Sequence, residues 1–155
     1  MNLKLKDEHL PRLDWLDLRN RIVSFVHGTA VLFLSGYNTL FNHSQCGEKN
    51  SQFEMFILQF SNGYFAYDLM AMAYLGILDR SMTIHHLICI GGLSGGLFTG
   101  YSADILIGTL FLTEISNPAM HVRVILRLIG LRYTKAYETA EITYMGKNFQ
   151  PFNTV

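Results

Sequence analysis

Charge is what this chain has least of. Only 15% of its 155 residues are Asp, Glu, Lys or Arg, against about 25% in a soluble domain, while half are hydrophobic. The few charges leave long runs untouched, as segments that sit in a bilayer do. The twelve basic and twelve acidic residues cancel, so nothing points to a nucleic-acid partner. Cysteine is scarce as well. Cys46 falls in a polar loop and Cys89 in an apolar run, and no disulfide is expected between them. Nor is a cleavable leader expected: the first apolar run begins at Ile22, after a segment mixing Lys4, Lys6, Asp7, Glu8, Asp14 and Asp17. Those acids do not suit a mitochondrial presequence, and internal targeting through the first span is the simpler expectation.

What is present is a succession of apolar runs of spanning length. The pattern predicts an all-α, polytopic transmembrane helix bundle with about four spans, at residues 22–41, 56–78, 82–100 and 104–120, flanked by interfacial helices at both ends. Residues 1–21 read as an interfacial segment, with a short helix after Pro11 anchored by Trp15. Residues 22–131 form the transmembrane domain, whose last part, His121 to Leu131, alternates Arg123 and Arg127 with apolar residues as an amphipathic continuation. Residues 132–155 read as a polar tail.

Four spans place both termini on one side, and the basic residues agree. Eleven of the twelve Lys and Arg fall on the terminal side, and only Lys49 lies in the opposite loop. The positive-inside bias therefore puts the termini in the cytosol, or in the matrix if the membrane is mitochondrial. Endoplasmic reticulum or another endomembrane is the expected site, with the mitochondrial inner membrane as the alternative. The sequon Asn42-His43-Ser44 falls in the opposite loop, very close to the membrane.

Each span carries a polar group, and all of them fall in the basic-side half. Counted at about 1.5 Å per residue, His27 lies about 8 Å in, His85 and His86 about 5 Å, Glu114 about 10 Å and Asp68 about 15 Å. Within single helices, Arg21, Ser24 and His27 recur one turn apart, as do Tyr64 and Asp68, and Glu114, Asn117 and His121. In span three, Gly92, Gly96 and Gly100 repeat every four residues, a spacing that lets a neighbouring backbone approach. Through Cys89 that face reaches His85, which is therefore expected to be tied to the packing seam, leaving His86 the freer of the pair. Glu114 is expected to pair with a histidine.

The histidines do not suggest a metal or any other cofactor. The repeated His boxes of membrane di-iron oxidases are missing, and a haem held between His27 and His85 or His86 would rest on two ligands alone. Acyl transfer needs a base or nucleophile and an orienting carboxylate, which His85 or His86 and Glu114 could supply.

The segments Arg21-Ile22-Val23-Ser24-Phe25-Val26-His27-Gly28, Gly63-Tyr64-Phe65-Ala66-Tyr67-Asp68, His85-His86 and Glu114-Ile115-Ser116-Asn117-Pro118, followed by Arg123, resemble the TLC-domain family. That family takes in translocating-chain-associating proteins, ceramide synthases and small lipid-related membrane proteins. The resemblance runs over roughly residues 15–131, with the family's landmarks in order. It marks His27, Asp68, His85, His86, Glu114 and Asn117 as the family's buried polar positions. In ceramide synthases the His pair belongs to a longer signature, ending in a His-Asp and a further Asp. Here the corresponding stretch reads Leu112-Thr113-Glu114-Ile115-Ser116, so the resemblance implies a member that does not acylate sphingoid bases. TLC domains usually carry further spans after the segment matching Arg123 to Leu131, which implies either a shortened form or a partner subunit over an open flank.

Together these readings lead to three expected functions. The first is a lipid-binding or lipid-organising membrane protein without catalysis, its partner a phospholipid with Arg21, Arg80 and Arg123 on the phosphate. The second is an accessory subunit of a larger membrane complex, and the third an acyltransferase using the His pair with Glu114.

Overall fold

The computed structural model describes residues 11–42 and 47–145. The first ten residues with Lys4 and Lys6, the sequon residues His43 and Ser44, Cys46 and the tail beyond Met145 lie outside the described residues. The chain is all-α. Among the described residues there are six helices, α1 (Arg12–Phe41), α2 (Gln52–Leu75), α3 (Arg80–Thr99), α4 (Ala103–Glu114), α5 (Asn117–Leu128) and α6 (Lys135–Met145). They fall into two compact units. One comprises residues 26–115, and the other joins the N-terminal residues up to Phe25 to the segment from Ser116 onward.

Helix limits follow local chemistry. At the start of α2, the Glu54 N–H donates to Ser51 Oγ and the Ser51 N–H donates back to Glu54 Oε2 at 2.7 Å, a reciprocal capping box. The helix stops at Gly76, whose φ of 70° suits a residue without Cβ, while the Ile77 N–H reaches back to the Met72 carbonyl at 3.1 Å. Asp79 then caps α3 by accepting from the Ser81 and Met82 N–H groups. These two signals confine the α2–α3 connection to residues 76–79, so the helices lie against each other.

The α3–α4 connection is held from outside by Asn50. Its Nδ2 donates to the Gly96 carbonyl at 2.9 Å, its Oδ1 accepts from the Ala103 N–H at 3.0 Å, and its own N–H donates to the Gly100 carbonyl at 2.8 Å. One side chain thus serves the end of one helix and the start of the next. Asn50→Ala leaves those two backbone groups without that partner and should lower stability by about 2 kcal/mol. Thermal unfolding in detergent measures this, and an unchanged midpoint would mean that other groups take over both bonds.

In the 26–115 unit, α2 packs on α3 and α4, and α3 on α4. Val31, Ile57, Leu58, Phe65, Leu93, Ala103, Ile107 and Leu110 form the core. The outward surface is apolar too: Phe33, Met70, Ile88, Phe98 and Leu112 are all exposed. A helix that is apolar all round suits a bilayer or the interior of a larger assembly. The hydroxyls of α4 are satisfied within the helix, Thr109 bonding to the Ile105 carbonyl and Thr113 to that of Thr109, so they meet an apolar medium at little cost.

The expected spans meet the structure unevenly. Among the described residues, only α3 is by itself both long and apolar enough to cross a membrane. The expected fourth span, 104–120, is instead two helices. Its first part, α4, has 12 residues and reaches about 18 Å, short of the roughly 30 Å of a bilayer core. The break comes at Ile115-Ser116, ahead of Pro118 near the start of α5, where a proline is tolerated but an uninterrupted helix is not. Glu114, Asn117 and His121 therefore do not lie along one helix. At the other end, α1 runs unbroken through residue 21, so the interfacial segment and the first span share one helix.

In the other unit, α5 packs against α6 and buries His121 and Val124. Arg123 Nη1 donates to Glu141 Oε1 at 3.1 Å, and its guanidinium lies over the Tyr144 ring.

Candidate functional site

Three histidines of the 26–115 unit, His27, His85 and His86, meet around one aromatic ring. Phe65 is 4% exposed and belongs to the inward stripe of α2, with Leu58, Ser61, Asp68 and Met72 at helical spacing. Its ring meets His27 of α1 at 5.8 Å, His85 at 5.8 Å and His86 at 5.6 Å, each edge to face. On the α1 side, His27 stacks on Tyr64 with centroids 3.6 Å apart and 11° between planes, and lies near Phe60. Aromatic spacing therefore sets the position of three histidines.

His86 is fixed by hydrogen bonds on both sides of its ring. Nδ1 lies 2.6 Å from the Met82 carbonyl, and Nε2 lies 2.8 Å from Asp68 Oδ2. A carbonyl only accepts, so Nδ1 carries a proton and donates. One further proton is then shared across the Nε2–Oδ2 contact, and the pair is neutral overall whether it is written as imidazolium–carboxylate or as imidazole–carboxylic acid. Both residues are 2% exposed. Asp68 Oδ1 is buried with no hydrogen-bond partner among the described residues. With both nitrogens engaged, His86 has none left to take a proton from a substrate.

This reverses the expected roles of the two histidines. His85, expected on the packed seam, is exposed, and its ring lies 3.8 to 3.9 Å from the Cys89 sulfur one turn on. His86, expected to be freer, is the buried one. The reason is that α3 turns inward along His86, Leu93 and Gly96 rather than along its glycine repeat. The three glycines do separate jobs. Gly92 is exposed, Gly96 gives room to Leu106 and Leu58, and Gly100 closes the helix with a φ of 72°.

The carboxylate on His86 is Asp68. The count from the expected span ends placed Asp68 deeper than the His pair. With α2 ending at Leu75 and α3 starting at Arg80, Asp68 and His86 each lie about 10 Å from those ends, level with each other. Glu114 is buried at the last residue of α4. Asn117 opens α5 in the other unit.

The three arginines expected on phosphate are placed differently from one another. Arg21 pairs with Asp17 at 3.2 Å and Arg123 with Glu141, while Arg80 is exposed at the first turn of α3 with no ion pair among the described residues. Sequence reasoning passed over Phe65, the hub of the cluster. Its signal was present in the seven-residue step from Leu58, but one phenylalanine within the aromatic-rich stretch Tyr64-Phe65-Ala66-Tyr67 does not stand out.

No solved structure matches the chain. A family comparison matches the TLC domain over residues 17–145, from the first half of α1 through α6. That stretch exceeds the expected 15–131 at its C-terminal end and takes in α5 and α6 with the histidine cluster. The chain therefore belongs to the TLC-domain family of membrane proteins.

Proposed function

We propose that the chain is a multi-pass membrane protein that binds phospholipid beside the N-terminal half of α3 and performs no chemistry on it. The observation that carries this reading is the split between the two histidines. His86, locked to Met82 and Asp68, anchors the bundle, and His85 brings a polar edge to the apolar outer surface. A general base needs a nitrogen within reach of the proton it removes, and in the arrangement described His86 offers none. That disfavours an acyltransferase with His86 as its base. Exposed Arg80 at the same end of α3 suits the phosphate, a role for which Arg21 and Arg123 would first have to leave their carboxylates.

The multi-pass reading rests on the inward character of the polar residues in α2. Asn62 bonds to Ser94 of α3 at 3.2 Å and Asp68 bonds to His86, so these residues make α2 more polar without facing lipid. The basic bias then puts both termini in the cytosol, with an endomembrane as the home compartment.

Native mass spectrometry of the detergent-purified chain tests the binding. Phospholipid adducts are expected, reduced severalfold in Arg80→Gln/His85→Leu. A folded sample without co-purifying lipid, or adducts indifferent to both substitutions, would contradict the proposal.

A further inference from the structure

The turn between α5 and α6 carries a feature that the lipid site of the other unit does not use. From residue 115 to residue 137 the chain has no Asp or Glu, yet it holds Arg123, Arg127, Arg132 and Lys135. Arg123 is taken up by Glu141. The other three are exposed and make no ion pair among the described residues. Between them stands Tyr133, 96% exposed and the most exposed of the large apolar side chains described. The backbone beneath is ordered by its own hydrogen bonds. Gly130 takes a φ of 80°, the Leu131 N–H donates to the Leu126 carbonyl at 2.8 Å, and Thr134 caps α6 by accepting from the Tyr137 N–H. This turn therefore holds an aromatic ring and three cations outward rather than leaving them on a loose tail.

Tyrosine with Arg and Lys is the residue set of a membrane–water interface: the ring lies at headgroup level and the cations meet lipid phosphates and carboxylates. We propose that the α5–α6 turn docks on the anionic phospholipid headgroups of the adjoining leaflet, with Tyr133 among the headgroups and Arg127, Arg132 and Lys135 drawing anionic lipid around it. An acidic protein segment would satisfy the charges, but it gives no comparable reason for a fully outward aromatic ring beside them. This surface and the α3 lipid site use different residues, and neither proposal depends on the other.

The full chain carrying Trp15→Phe and Tyr133→Trp, reconstituted in nanodiscs, provides a single indole at the turn. In mixed phosphatidylcholine–phosphatidylserine bilayers, bromine is placed on one lipid or on the other, and quenching of the indole reports which lipid surrounds it. Quenching should favour brominated phosphatidylserine severalfold over brominated phosphatidylcholine. The preference should fall in high salt and disappear in Arg132→Gln/Lys135→Gln, whose helicity should match the parent because both side chains are exposed. Equal quenching by the two lipids, or a preference untouched by salt and by that double substitution, overturns the proposal. So does emission that shifts only when an acidic polypeptide is added. Failure here would leave the native mass spectrometry result on the α3 site unaffected.

Discussion

Gly96→Leu should cost about 3 kcal/mol, the upper end of overpacking, and should prevent recovery of a monodisperse protein. A Cβ built on Gly96 collides with Cδ1 of Leu106 and lies 3.3 Å from Cδ1 of Leu58. Leu106 is only half-buried and has somewhere to turn, but Leu58 is fully enclosed, so the larger side chain must part α3 from α2 and α4. Two comparisons make the prediction specific. Gly95 has open space around it and no unusual backbone, so Gly95→Ala should raise stability by about 0.5 to 1 kcal/mol. Leu106→Ala should partly rescue Gly96→Ala, because the two share one volume and their effects cannot be additive. The readout is the melting midpoint in detergent across the four variants. Equal effects at Gly95 and Gly96 would mean that α3 does not approach its neighbours as described.

Asp68→Ala should be as damaging, by about 3 to 5 kcal/mol, the cost of breaking a buried pair by removing one partner. The His86 ring is held by Met82 and Phe65 as well as by Asp68, so it cannot swing out to find water, and its Nε2 is left buried without a partner. Asp68→Asn should be mild, since a side-chain amide donates to a neutral Nε2 with little change in shape. Replacing both partners by apolar groups, Asp68→Leu with His86→Phe, should cost clearly less than the sum of the single substitutions. A double variant as unstable as that sum would show that the two residues act independently. Because the pair is neutral in either arrangement of its shared proton, it can sit at depth without the cost of a net buried charge.

Sequence patterns carried the helical class and the approximate places of α1, α2 and α3, because those depend on local signals. Of the expected polar residues, His27, Tyr64, Asp68, His85 and His86 lie in the cluster around Phe65. Apolar length marked α3, but apolar length does not register the capping residues Ser51, Gly76 and Asp79, which set both limits of α2 and the start of α3. What the sequence did not convey was rotation and relative depth. Two adjacent histidines differ by about 100° around a helix, and which of them faces inward depends on whether α3 turns its glycines or its His86–Leu93 stripe to its neighbours. That choice is made by Leu106 and Phe65, residues on other helices. The partnership of Asp68 with His86 was hidden for a related reason: an error of a few residues in each span end separated by several ångströms two groups that lie level. The break after Glu114 was signalled by Pro118, but apolar residues on both sides masked it.

Phospholipid held as proposed, beside His85 on α3 and next to the His86 ring locked by Asp68 and Met82, should be caught by photo-crosslinking in membranes with a diazirine-bearing phospholipid, followed by peptide mapping. Adducts should concentrate on the α3 segment around His85 and Cys89 and fall severalfold in His85→Leu. Adducts spread evenly over the exposed faces at Phe33, Phe98 and Leu112, and unchanged by that substitution, would mean that the lipid there is no different from the lipid around any apolar helix.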